Sequence, residues 1–150
     1  MLEGAWHRRV MVKSPCIRIL IVDDSPIWRK FLTGHLFDAG LTAVHVAYDG
    51  VQAVAKAESL QPDVILMDIS LPHLNGIQAA SVIRDVSPAS KIVFVTGNTD
   101  PAVRRAALDA GGCDYVVKSL AGRELISAIR LATGTVPSRR RPRQADAESA

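Results

Sequence analysis

Ile17-Arg18-Ile19-Leu20-Ile21-Val22-Asp23-Asp24-Ser25-Pro26 joins an apolar run to two adjacent carboxylates, and this junction decides the fold of the 150-residue chain. A strand covered on both faces reads as a continuous apolar run, whereas a strand with one wet face alternates. Three later runs repeat the pattern: Val64-Ile65-Leu66-Met67 ends in Asp68, Ile92-Val93-Phe94-Val95 in Thr96, and Tyr115-Val116-Val117 in Lys118. Open parallel sheets gather their functional groups at the carboxyl ends of the strands. These polar residues are therefore predicted to share one pocket.

Working outward, residues 17–134 alternate short β-branched runs with longer helical segments, the mark of stacked βαβ units. Strands are predicted near 17–22, 42–47, 63–68, 91–96 and 114–117, and helices near 26–38, 50–60, 76–86, 100–110 and 121–132. Helix starts are legible at Ser25 with Pro26, Asp49 with Gln52, Asn75 before Gly76, and Asp100 with Pro101. Gly40, the Gly111-Gly112 pair and Gly134 supply stops, as do Pro62 and Pro88. Strict alternation with right-handed crossovers gives an α/β, doubly wound, five-stranded parallel sheet. The order 2-1-3-4-5 is expected, because it sets strands 1 and 3 side by side and brings Asp23 and Asp24 next to Asp68 at the switch point.

The net charge of +3 does not mark the folded part as a nucleic-acid binder. Residues 17–134 hold 11 Lys and Arg against 12 Asp and Glu, while residues 1–16 and 135–150 each carry +2. The basic residues of 135–150, Arg139-Arg140-Arg141 and Arg143, lie in a stretch with few large apolar residues, so this segment is expected to be disordered and residues 1–16 flexible. No apolar stretch reaches the roughly 18 residues of a membrane span and the amino terminus lacks a signal-peptide core, which predicts a cytoplasmic protein with no membrane contact. Cys16 and Cys113 match no metal or redox spacing and are expected to be small buried residues.

Three carboxylates held together repel one another, and a divalent cation such as Mg²⁺ relieves that repulsion. Mg²⁺ takes one or two carboxylates, keeps waters, and leaves room for a phosphoryl oxygen. Lys118 offers a positive charge to such a group, and the Thr96 hydroxyl with the Gly97 backbone N–H can donate to it. With a carboxylate as nucleophile, this is equipment for phosphoryl transfer.

The segments Val22-Asp23-Asp24-Ser25, Met67-Asp68-Ile69-Ser70-Leu71-Pro72-His73-Leu74-Asn75-Gly76, Val95-Thr96-Gly97 and Tyr115-Val116-Val117-Lys118-Ser119 resemble the receiver domain of two-component response regulators, the CheY-like family, over residues 17–134. The resemblance implies a flavodoxin-like (βα)5 fold with Asp68 as phosphoacceptor for a sensor histidine kinase or histidine phosphotransfer protein. It implies Mg²⁺ or Mn²⁺ on Asp24, Asp68 and the Ser70 carbonyl, with Asp23 acting through a metal-bound water. Lys118 would pair with Asp68 and the phosphoryl group. Thr96 would bind a phosphoryl oxygen and, by moving, let Tyr115 swing inward. Output would pass through helix 4, strand 5 and helix 5 to a protein target or a second copy, with no direct nucleic-acid binding. Slow autodephosphorylation, rather than enzymatic turnover, would end the signal.

Ser119 stands where many receivers have proline after the lysine, which leaves the isomer of that peptide bond open. The run Lys118-Ser119-Leu120-Ala121-Gly122-Arg123-Glu124-Leu125 resembles the NarL/FixJ-like branch, whose members usually continue into a helix-turn-helix domain. A stand-alone receiver, or the receiver part of such a transcription factor, is expected. A phosphatase of the haloacid-dehalogenase kind needs a second acid two residues after the nucleophile, where Ser70 stands, and the Asp23-Asp24-Ser25-Pro26 loop has no glycine cradle for a nucleotide. His35, His45 and His73 lack companions at metal spacing, and Trp28 is read as a packing residue.

Overall fold

The computed structural model describes residues 16–135, so the expectations for the two terminal segments fall almost wholly outside the described residues. Five strands, β1 (Arg18–Val22), β2 (Ala43–Ala47), β3 (Val64–Met67), β4 (Lys91–Thr96) and β5 (Gly112–Val117), alternate with five helices. These are α1 (Pro26–Asp38), α2 (Gly50–Leu60), α3 (Gly76–Val86), α4 (Pro101–Asp109) and α5 (Ala121–Thr133), with a short 3-10 turn over Lys118–Leu120 before α5. The sheet runs β2-β1-β3-β4-β5, and every pair is parallel.

Alternation of side chains along each strand sorts the core into two layers. Leu20, Val22, Ile65, Met67 and Phe94 pack on one face with Ala53, Ala57, Ala79, Ile83 and Ala107 of α2, α3 and α4. Ile19, Ile21, Leu66, Val93 and Val95 pack on the other with Leu32 and Leu36 of α1 and Leu125 and Ile129 of α5. Both faces of the sheet are dry, which is why its strands read as unbroken apolar runs.

The helix starts form as their sequences dictate. The Ser25 hydroxyl accepts from the Trp28 N–H at 3.3 Å with Pro26 in the first turn, and Asp49 accepts from the Gln52 N–H at 2.7 Å. Asn75 and Gln78 exchange bonds of 2.9 and 3.0 Å in a full capping box, and Asp100 accepts from the Ala102 N–H at 2.9 Å.

α2 ends as expected ahead of Pro62, on Gln61 in the left-handed region (φ 48°); its side-chain amide donates to the Glu58 and Val86 carbonyls at 2.9 and 3.0 Å, which offsets the cost of a non-glycine there. The expectations for the start of β5, for Gly112 and for the two cysteines need correction. β5 begins at Gly112, two residues early, and carries an irregularity at Cys113, since Gly112 pairs with Ile92 but Asp114 pairs with Val93. Gly112 is thus a strand residue rather than a helix stop, and a Cβ there would lie 2.6 Å from Cε2 of Phe94. Cys16 and Cys113 are both exposed: Cys16 precedes β1, and Cys113 lies near the start of edge strand β5, ahead of the buried Tyr115 and Val116. All described peptide bonds are trans, including that joining Lys118 to Ser119.

Candidate functional site

β1 and β3 are neighbours in register, with Val22 opposite Met67, so the residues that follow them lie side by side. The Asp68 N–H donates to the Val22 carbonyl at 2.9 Å and the Asp23 N–H to that of Ala47 at 3.2 Å, which carries the ladder one step past the strands and fixes both carboxylates. Asp23 and Asp68 are buried, whereas Asp24 is exposed. One carboxylate oxygen from each of Asp23, Asp24 and Asp68 lies within 4.8 Å of the others.

Lys118 enters from the end of β5. Its Nζ lies 2.9 Å from Asp23 Oδ2 and 3.1 Å from Asp68 Oδ2, with only 15% of the side chain exposed. The other oxygens take backbone donors: Asp68 Oδ1 accepts from the Ile69 N–H at 2.7 Å and Asp23 Oδ1 from the Ser25 N–H at 2.9 Å. Burial lifts the Asp68 carboxyl above the ordinary carboxylate range; Lys118 pulls it down and the Asp23 charge adds to the rise. Burial pulls the Lys118 ammonium down, but Asp23 and Asp68 outweigh it and the net direction is up.

The donor set fits a divalent cation. Three carboxylates face one ammonium, Asp23 Oδ2 is buried with no hydrogen-bond donor beyond that ion pair, and all the candidate ligands are hard oxygens. The exposed Asp24 forms the open side, through which an ion and its waters can enter.

Thr96 is buried at the end of β4, its Oγ1 accepting a long 3.4 Å bond from the Asn98 N–H, with Gly97 exposed beside it. Ser70 is exposed two residues beyond Asp68. Tyr115 is already turned inward: it is 5% exposed, its hydroxyl donates to the Asn98 carbonyl at 2.8 Å, and the Arg104 guanidinium lies 5.4 Å from its ring centre. Burial raises the Tyr115 phenol, with Arg104 opposing. His73, in the loop after β3, is exposed, with Nε2 3.9 Å from Asp49 Oδ2.

Four contributors were not read from the sequence as parts of the site. A Cβ at Gly76 would lie 2.0 Å from the Asp68 carbonyl oxygen, and one at Gly50 would lie 1.9 Å from that of Leu74, so bare backbone is needed on both sides of the β3–α3 loop. The Arg29 guanidinium donates to the Asp23 carbonyl at 2.8 Å and sits 4.3 Å from the Tyr48 ring centre. The Trp28 ring centre lies 4.9 Å from Lys118 Nζ, a contact that packing alone did not predict. A basic and an aromatic residue one turn into the helix that follows an acidic pair was the available signal for the last two.

The family profile of the response regulator receiver domain matches residues 19–130. The chain belongs to the response regulator receiver domain family. It is 34% identical over 112 residues to the chemotaxis protein CheY of Thermotoga maritima, covering 75% of this chain and 93% of that protein. It is 42% identical over 95 residues to a protein-glutamate methylesterase/protein-glutamine glutaminase of Nitrosospira multiformis, covering 63% of this chain but 26% of that longer protein. Among solved structures, the receiver domain of a Pseudomonas aeruginosa sensor histidine kinase, with magnesium coordinated in its active-site cleft, superposes with a TM-score of 0.73 at 33% identity, over 80% of this chain and 99% of that one. Receiver domains are phosphoacceptors of two-component signalling rather than classical enzymes, and they pair with histidine kinases and downstream effectors. Among the described residues of this receiver, no helix is long and apolar enough to cross a membrane.

Proposed function

We propose that this receiver takes a phosphoryl group on Asp68 from the phosphohistidine of a sensor histidine kinase or histidine phosphotransfer protein. The observation that carries the reading is Lys118 Nζ, held 2.9 Å from Asp23 and 3.1 Å from Asp68, beside three carboxylates gathered within 4.8 Å. A carboxylate oxygen of Asp68 forms the new bond to phosphorus, the phosphorus–nitrogen bond breaks, and its electron pair stays on the imidazole. Asp24, Asp68 and the Ser70 carbonyl would hold Mg²⁺ or Mn²⁺ directly, and Asp23 would do so through a water. That ion supplies charge neutralisation between the carboxylates and the incoming phosphoryl oxygens. Lys118 pairs with one phosphoryl oxygen, and the Thr96 hydroxyl and Gly97 N–H donate to another.

Autodephosphorylation by water then resets Asp68 slowly. Thr96, drawn toward the phosphoryl group, would act with Tyr115, whose hydroxyl bond to the Asn98 carbonyl links the site to the groove between α4, β5 and α5. Arg104, Val117, Leu120 and Glu124 line that groove, which suits a protein target or a second copy of the chain better than a nucleic acid. Residues 17–134 would form the receiver. The test is mass spectrometry after incubation with acetyl phosphate and Mg²⁺: one phosphoryl group should be gained, and none by Asp68→Ala. An unmodified wild-type protein would overturn the reading.

A further inference from the structure

A lysine reaches its position through a flexible four-carbon stem, so a charge that must meet Asp23, Asp68 and a phosphoryl oxygen has to be held from more than one side. Two sides of the Lys118 ammonium are occupied by Asp23 and Asp68, at 2.9 and 3.1 Å. A third is covered by the indole of Trp28, with its ring centre 4.9 Å from Nζ. An ammonium this shielded from water, over the face of the aromatic residue with the strongest attraction for cations, is in a favourable cation–π arrangement. The ring itself is anchored. Its own backbone N–H is bonded to the N-cap hydroxyl of Ser25, and its edge packs on Phe31 at 5.2 Å and 80°, which in turn stacks on His35 at 5.6 Å.

We infer that Trp28 is a positioning residue for phosphoryl transfer, holding the Lys118 ammonium against Asp68 through the face of its indole and keeping water from that side of the pair. The inference rests on Asp68 being the phosphoacceptor. Asp23, Asp68 and Lys118 are supplied by the sheet, whereas Trp28 comes from the first turn of α1, so the helix that follows the acidic pair also fixes the cation opposite it.

The test compares full-length Trp28→Phe and Trp28→Leu, both smaller and apolar, the first keeping an aromatic face and the second losing it. With acetyl phosphate at saturating Mg²⁺, Trp28→Leu should lower the maximal phosphorylation rate about two- to fivefold, the range a cation–π contact supports, while Trp28→Phe restores most of it. The acetyl phosphate concentration giving half-maximal rate and the melting temperatures should stay alike in the two variants. Equal rates in both, whether lowered together or unchanged, would overturn the inference. A wild-type protein that takes no phosphoryl group would instead overturn the Asp68 reading. Should the leucine variant fail to fold, Trp6→Phe protein leaves Trp28 as its single indole. Beryllofluoride with Mg²⁺ should then shift the emission of Trp28 as Lys118 gains a further anionic partner beside Asp23 and Asp68, and an unchanged spectrum overturns the inference.

Discussion

Replacing Asp68 by asparagine separates two properties that the carboxylate combines, because the charge proposed to attack phosphorus is also a buried charge beside Asp23. Burial and the Asp23 charge raise the Asp68 carboxyl, which means that the ionised form is carried at a cost in the metal-free fold. Asp68→Asn removes that charge, keeps an oxygen for the Ile69 N–H, and leaves Lys118 paired with Asp23. In chelator at neutral pH the variant should be more stable by roughly 1 kcal/mol, a rise of about 3 to 6 °C in melting temperature for a domain of this size, while losing all phosphorylation. Calorimetry beside mass spectrometry checks both halves; a variant that melts lower would show that the carboxylate is not destabilising the apo fold. The convergence of Asp23, Asp24, Asp68 and Lys118 was legible in the sequence because these polar residues end apolar runs. Arg29 and Trp28 were not, since a cation and an aromatic ring on a helix are ordinary until their spatial neighbours are known.

At the scale of elements, the β3–α3 loop shows how backbone packing constrains chemistry. Gly76 opens α3 directly against the Asp68 carbonyl, at a distance that no side chain can enter, and its own N–H donates to the Ile69 carbonyl at 2.9 Å. Gly76→Ala should therefore cost about 2–3 kcal/mol by overpacking and also displace the Asp68 backbone. The phosphorylation rate should fall well below that of a variant equally destabilised in the distant core, such as one altered at Ile83; equal rates at equal stability would make the glycine purely structural. Asn75→Ala, which breaks the capping box of the same helix, should cost about 1 kcal/mol by urea unfolding, with a smaller effect on rate. Four helix starts were readable because capping residues act locally. The early start of β5 was not: Gly112 and Cys113 carry little strand preference, and their extension follows from Phe94 packing where a Gly112 side chain would lie. The close approach of Gly50 to Leu74 likewise joins segments distant in sequence, and that of Gly76 to Asp68 depends on how the loop between them closes, so only the assembled fold reveals them.

For the whole molecule, the acidic pocket makes stability depend on pH and on divalent cations together. Asp68 is raised in the folded state, so it favours folding at acid pH, where it is protonated in both states. That advantage is lost as pH rises from the ordinary carboxylate range through its higher folded value. Lys118 is also raised, so its contribution is whole at neutral pH and is lost only as pH climbs through its folded value in the alkaline range. A divalent cation binds the ionised cluster and not the unfolded chain, and at a hundred times its dissociation constant it adds about 2.7 kcal/mol. Because proton and cation compete for the same oxygens, the rise in melting temperature on adding Mg²⁺ should be largest near neutral pH and shrink toward zero as pH falls through the folded value of Asp68. The rise should be much smaller in Asp68→Asn and Asp24→Asn at every pH. Thermal scans with and without Mg²⁺ from acid to neutral pH test this directly; a stabilisation that persists at acid pH, or survives both substitutions, would place the cation elsewhere than the Asp23, Asp24 and Asp68 cluster.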